Sequence, residues 1–229
     1  MTITLPSMDP YGSGQISRDR LDGHPAYGPL LAAARTSGRC PVWVGDPEPM
    51  QVPEDPAAAV AAVGETDASL FLARHWAPNC PTCGCRDPFG DTFPGLADGE
   101  PLVEDPLDSA TEWVSGVRRR HLAVVPVSRP ADVLAAVGWS GPCNYGTDLA
   151  GLSSVLRSWE ERFGAVLVQL DRSTLWLSVA APPTGLSECR RVAAEHFAFC
   201  RDVDWEDPRP LRTYASSLIG RREWRFWWD

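Results

Sequence analysis

Seven of the ten tryptophans lie from Trp139 onward, and the last seven residues read Glu223-Trp224-Arg225-Phe226-Trp227-Trp228-Asp229. Each buried ring of this size removes roughly 150–250 Å² from water, whereas chain ends ordinarily carry small polar residues. In an extended chain Trp224, Phe226 and Trp228 share one side, and Arg225 and Trp227 the other. The pattern predicts a closing strand, Glu223 to Trp228, docked on a core. The back half of the chain is then a packed unit up to its last residues.

Periodicity and punctuation sketch the rest. In the front half, Pro29 to Ser37, Pro56 to Val63, Asp67 to Trp76 and Asp108 to Arg119 read as helices, the last capped by Asp108. Cys40 to Val44 reads as a short strand. Pro78 to Pro106 is irregular and rich in Cys, Pro and Gly, a length that suits a functional loop, an inserted site or disorder. In the back half, Leu122 to Val127 is an apolar strand, followed by a helix from Pro130 to Val137 that Gly138 stops. Thr147 is placed to cap a helix from Asp148 to Phe163. Leu149, Leu152, Leu156, Trp159 and Phe163 make its apolar stripe, and Arg157, Glu160 and Glu161 point away. Ala165 to Leu170 and Thr174 to Ala180 form a hairpin around Asp171-Arg172-Ser173. Ser187 to Cys200 is a helix with Arg190, Arg191 and Glu195 facing out. Another helix opens at Asp207-Pro208 and runs to Ile219. Strands and helices mix without βαβ alternation, so the expected class is α+β: a mixed sheet with a central hairpin, packed by helices and closed by the aromatic strand. The expected division is a flexible segment over 1–28, an α+β region over 29–117 containing the 78–106 loop, and a C-terminal α+β domain over 118–229.

Composition excludes several chemistries. All 21 basic residues are arginine. Without lysine the chain cannot form a Schiff base, anchor pyridoxal phosphate or supply a P-loop lysine of its own. Its net charge of -9 is uneven. Residues 1–117 hold 17 acidic residues and 6 arginines, and residues 118–229 hold 13 and 15. An acidic half repels phosphate backbones, so nucleic acid is not expected; it suits a basic protein partner, and the plainer reading is solvated acidic loops that keep the protein soluble. No run approaches the roughly 20 apolar residues of a membrane span, and the first 28 residues lack a secretory pattern. A cytoplasmic location with no membrane partner is the expectation.

A set of segments has a family character. Gly138-Trp139-Ser140-Gly141-Pro142, Asn144-Tyr145, Leu156-Arg157-Ser158-Trp159-Glu160-Glu161-Arg162-Phe163-Gly164-Ala165, Ala181-Pro182-Pro183, Ala194-Glu195-His196-Phe197 and Trp224 to Asp229 resemble, in order and spacing, the bacterial domain of unknown function 4253 family. The resemblance covers roughly the last 110 residues. It implies a small cytoplasmic protein and carries no catalytic residue with it.

Three constellations have chemical potential. His75, Cys80, Cys83 and Cys85 can supply four tetrahedral ligands to zinc, with Cys-x-x-Cys as the knuckle. The competing reading is loop thiols, redox-active or incidental. A disulfide framework suits seven cysteines without a secretory signal poorly. On the helix Ser187 to Cys200, His196 is central to the buried face, with Cys189 and Cys200 flanking it. The i, i+4 spacing of His196 and Cys200 suits a metal or a Cys-His pair, and the plainer reading is a core histidine bonded to backbone, Tyr or Asp. Asp202, Asp204, Glu206 and Asp207 alternate as cation ligands do, but Asp207 is better used as a helix cap. Arg118-Arg119-Arg120 is placed at a helix C-terminus, where it can hold an anion or simply be solvated. Gly-x-Ser-x-Gly, His-Glu-x-x-His and Gly-x-Gly-x-x-Gly are all missing from the sequence. The functional expectation is a non-catalytic protein-binding or regulatory protein, toxin-neutralising in one form. The alternative is a zinc-binding or Cys/His-dependent metalloprotein or enzyme.

Overall fold

The computed structural model describes residues 3–47, 51–76, 86–142, 148–200 and 210–229. Its strands are β1 (Met8–Tyr11), β2 (Gly14–Ser17), β3 (Cys40–Val44), β4 (His121–Val125), β5 (Ala165–Leu170), β6 (Thr174–Val179) and β7 (Glu223–Trp227). They form one sheet in the order β1-β2-β4-β3-β5-β6-β7. The β3–β5 pair is parallel and the other pairs are antiparallel. The class is α+β, with the β5–β6 hairpin and the aromatic β7 placed together at one side of the sheet.

The helices are α1 (Tyr27–Ser37), α2 (Pro56–Glu65), α3 (Ala68–His75), α4 (Pro106–Ser115), α5 (Val133–Val137, after a 3-10 turn Pro130–Asp132), α6 (Leu149–Phe163), α7 (Leu186–Phe199) and α8 (Pro210–Ser217). One local device starts four of them: an aspartate side chain accepts from the first free N–H groups, at Asp55, Asp67, Asp105 and Asp148. Helix α4 thus begins at Asp105-Pro106, three residues ahead of the expected Asp108 cap, because Pro106 is pre-set for the first helical position. Asp148 takes the capping role expected of Thr147, which lies outside the described residues.

Helices α1 and α4 lie on one face of the sheet, with α4 against β5 and β6. Helix α6 packs on β5 from the other face, and α2, α3, α5 and α7 surround it. Strands β3 and β5 are therefore buried along their whole length, which explains their unbroken apolar runs. Strand β7 alternates as its sequence requires: Trp224 and Phe226 are buried, and Arg225 and Trp227 are exposed. Trp159 of α6 stacks on Phe226 at 5.3 Å and meets Trp224 edge-on at 5.5 Å.

Residues 1–28, expected to be a flexible lead-in, contribute β1 and β2, and β2 pairs with β4. Gly12 turns the hairpin at φ 55°, Ser13 Oγ donates to the Ala136 carbonyl at 2.8 Å, and Tyr11 and Ile16 are buried. Two apolar anchors and a pinned turn hold a hairpin whose polar and Pro/Gly-rich residues read as loop.

Candidate functional site

The helix α7 is where sequence and structure differ most usefully. His196 is fully buried, and its Nδ1 lies 2.8 Å from the Tyr214 hydroxyl of α8. Trp159, Trp224 and Phe226 enclose the imidazole at ring distances of 5.0, 4.5 and 4.8 Å. Burial holds its pKa well below the usual histidine value, and the nearby positive charges of Arg221 and Arg162 act in the same direction. Its Nε2 is buried without a hydrogen-bond partner.

Cys189 and Cys200, predicted to flank His196, are buried but turn elsewhere. Cys189 Sγ donates to the Pro183 carbonyl at 3.6 Å, and Cys200 Sγ to the Trp227 carbonyl at 3.0 Å. Burial pushes the Cys189 thiol up, and the negative charge of Glu100 adds to that. The imidazole and the two thiols are thus each hydrogen-bonded to an oxygen of another part of the chain. Among the described residues, no group of three or more His, Cys, Asp or Glu side chains is arranged to hold a metal ion.

Glu195 was expected to face solvent and is completely buried. Its Oε1 accepts from Ala97 N at 2.7 Å and Arg162 Nη1 at 2.9 Å. Its Oε2 accepts from Trp159 Nε1 at 2.7 Å and Arg162 Nη2 at 2.6 Å. The carboxylate is thus satisfied on all sides, as a buried charge must be. The physical reason for the difference is long-range. The helix projection places Glu195 away from the sheet, but residues 96–100 return from far upstream and cover that side.

That return forms a strap. Arg162 Nη1 donates to the Ala97 carbonyl at 2.8 Å, Asp98 N donates to Glu188 at 3.1 Å, and Glu100 N donates to the Arg162 carbonyl at 3.1 Å. Thr184 N donates to Glu100 at 3.3 Å, and Arg222 pairs with Glu104. Gly164, at φ 58°, closes α6 where a Cβ would stand 2.8 Å from Leu102 Cδ2 and from Pro106 Cγ. Beyond these fixings the chain rises into solvent: Leu102 is 50% and Val103 92% exposed. Asp98, Glu104, Asp105 and Asp108 are exposed around them. Sequence reading singled out 78–106 as a candidate functional loop without distinguishing this tip. The available signal was Leu102-Val103 set between acidic residues, with no periodicity to bury it.

Of the zinc candidates, His75 closes α3, with Nδ1 2.8 Å from the Phe71 carbonyl and its ring 4.1 Å from Phe71. Cys80, Cys83 and Cys85 lie outside the described residues, as do Asp202, Asp204, Glu206 and Asp207. Arg118 and Arg120 follow α4 at the rim of an open depression of about 470 Å³, described below. A narrower cleft of about 250 Å³ runs between α1, the start of α4 and the end of α6. Glu160 lines it and is held by Arg129 Nε at 2.9 Å and Ala131 N at 2.8 Å. Burial raises the Glu160 pKa, against the pull of Arg129. No helix of the described residues is long and apolar enough to cross a membrane.

No curated protein and no solved structure matches the chain. Residues 121–229 match the family described as Domain of unknown function (DUF4253). Three of the segments that carried the resemblance meet in space: Arg162 and Trp159 of Leu156 to Ala165 grip Glu195 of Ala194 to Phe197, and Trp224 of the last lies on His196. The match runs from β4 through the aromatic strand β7, so this part of the chain is similar to the domain of unknown function 4253 family.

Proposed function

We propose that the protein is a non-catalytic binding or regulatory protein of the bacterial cytoplasm, and that the strap around Val103 receives a basic protein partner. The carrying observation is a side chain 92% exposed at the tip of a segment whose root is clamped to Glu195 and Arg162. A segment held in place before binding loses little order on association, so its contacts convert more fully into affinity. The acidic residues beside it steer a basic surface onto the apolar tip. Neutralisation of a basic toxin is one form this takes. The sealed state of His196, Cys189 and Cys200 favours binding over catalysis, since a base or nucleophile needs access to its substrate.

The test is Val103→Arg, a change at a site too exposed to alter folding by more than about 0.5 kcal/mol. Proteins retained by the wild-type chain at low salt are expected to be basic, to dissociate as salt rises, and to be lost with Val103→Arg. Retention that ignores both salt and this substitution defeats the reading.

A zinc-binding role for His75, Cys80, Cys83 and Cys85 is a second reading. The bond of His75 Nδ1 to the Phe71 carbonyl favours it, because that leaves Nε2 as the ligating atom. Less than a tenth of a zinc equivalent per purified chain removes it.

A further inference from the structure

We propose that the depression between the end of α4 and the β5–β6–β7 face binds a small aromatic monocarboxylate. The first observation is a pair of arginines at this spot without a carboxylate in ion-pair contact. Among the described residues, at least eight arginines lie within 4.0 Å of a carboxylate. Arg118 and Arg120 do not. Arg118 Nη1 folds back onto the carbonyls of Ser115 and Val117, at 2.7 and 2.8 Å. This anchors the guanidinium at the negative end of the helix and leaves its other edge unused. Arg120 makes long hydrogen bonds, 3.5 and 3.4 Å, to the carbonyls of Arg118 and Arg119, its Nε is buried without a hydrogen-bond partner, and the Asp171 carboxylate acts on it from beyond ion-pair distance.

The second observation is the walls. Trp113 and Trp176 line the same depression, together with Gln169 of β5, only 5% exposed. Arg225 lies 5.5 Å from the Trp176 ring centre. Trp113 Nε1 donates to Glu223 Oε2 at 2.6 Å, which fixes both the indole and the carboxylate. The volume, about 470 Å³, falls within the span of small-molecule sites, roughly 300–1,000 Å³.

The third observation is position. Gln169 stands near the carboxyl end of β5, beside the carboxyl end of its parallel neighbour β3. There Asp171 accepts from Gly45 N at 2.5 Å and ties the two strand ends together. The crevice outside the carboxyl ends of parallel strands is where open sheets with helices receive ligands.

These features select the chemistry. Guanidinium groups match the planar fork of a carboxylate. Indole walls take a flat apolar body. Glu223, fixed in the cleft, opposes a second negative charge, so a compact dianion such as phosphate fits less well than a single carboxylate on a ring.

The experiment is calorimetric titration of the full chain with 1-naphthoate, its neutral counterpart naphthalene-1-methanol, and inorganic phosphate. Naphthoate is expected to bind at least ten-fold more tightly than either of the others. Arg120→Gln is expected to weaken naphthoate by ten-fold or more. Arg118→Gln alters an exposed side chain and is expected to weaken it several-fold with an unchanged melting temperature. The proposal is overturned by no naphthoate binding at millimolar concentration or by equal binding of the alcohol. It is equally overturned by tighter binding of phosphate, or by undiminished naphthoate binding in folded Arg118→Gln.

Discussion

Glu195 shows how one residue changes meaning when its distant neighbours arrive. Within its helix it is a charged group on the outward side; in the fold it is the acceptor that joins α6, α7 and the strap. Removing one partner of a buried ion pair leaves the other charge unpaired, which costs about 3–5 kcal/mol. Glu195→Gln keeps the volume and is expected to lower stability by that amount in urea unfolding; a loss under about 1 kcal/mol would show that Arg162 needs no charged partner at this position. His196 is expected to give a pH signature. Its folded pKa lies below its unfolded value near 6.5, so the unfolded chain binds the extra proton. The stabilisation is complete above pH about 6.5 and is lost as pH falls toward the folded pKa, with a slope of at most about 1.4 kcal/mol per pH unit. Glu160 and Asp171 are shifted upward by burial and act with the opposite sign, losing stabilisation as pH rises through their folded values. The measurement is therefore the difference between wild type and His196→Phe from pH 6.5 to 5. Parallel curves would mean that His196 is not the titrating group.

At the scale of elements, β7 and the strap illustrate what periodicity can and cannot report. The alternation in Glu223 to Trp228 was readable because a strand has only two sides, and three of the four rings lie on one of them. Trp224→Ala is expected to cost about 3–5 kcal/mol, because it leaves a cavity among Trp159, Phe163 and His196. Trp227→Ala, at a residue 42% exposed, is expected to cost less than about 1 kcal/mol. Equal losses in chemical unfolding would contradict the packing described. The helices were legible for the same local reasons, aspartate or proline at the start and Gly38, Gly138 or Gly164 at the end. The β1–β2 hairpin was not, since its sequence is polar and its order comes from β4 and from Ala136. The candidate site was legible as residue types, not as an arrangement. His196 was placed in the core correctly from its helix phase. The oxygens that claim Cys189, Cys200 and Glu195 come from other elements, and no local pattern announces them.

At the scale of the whole molecule, the family boundary and the sheet do not coincide. The matched region, 121–229, begins at β4 and contains β5, β6 and β7. Strand β3, residues 40–44, lies between β4 and β5, so the central strand of the sheet comes from outside that region. All five of its residues are buried, and it bonds both neighbours. The strap that satisfies Glu195 also comes from upstream. A fragment of residues 121–229 thus lacks the strand that joins its two sheet portions and exposes the facing edges of β4 and β5. Unpaired central edges present free N–H and C=O groups and apolar side chains, a state prone to association. The fragment is expected to aggregate or to show no cooperative unfolding, whereas the full chain unfolds in one transition. A peptide spanning residues 38–47 is expected to bind the fragment and to lose that ability when Val42 is changed to Asp. A cooperative, monomeric 121–229 fragment would show instead that β4 and β5 pair directly when β3 is removed, and that the upstream half is an addition to a complete domain.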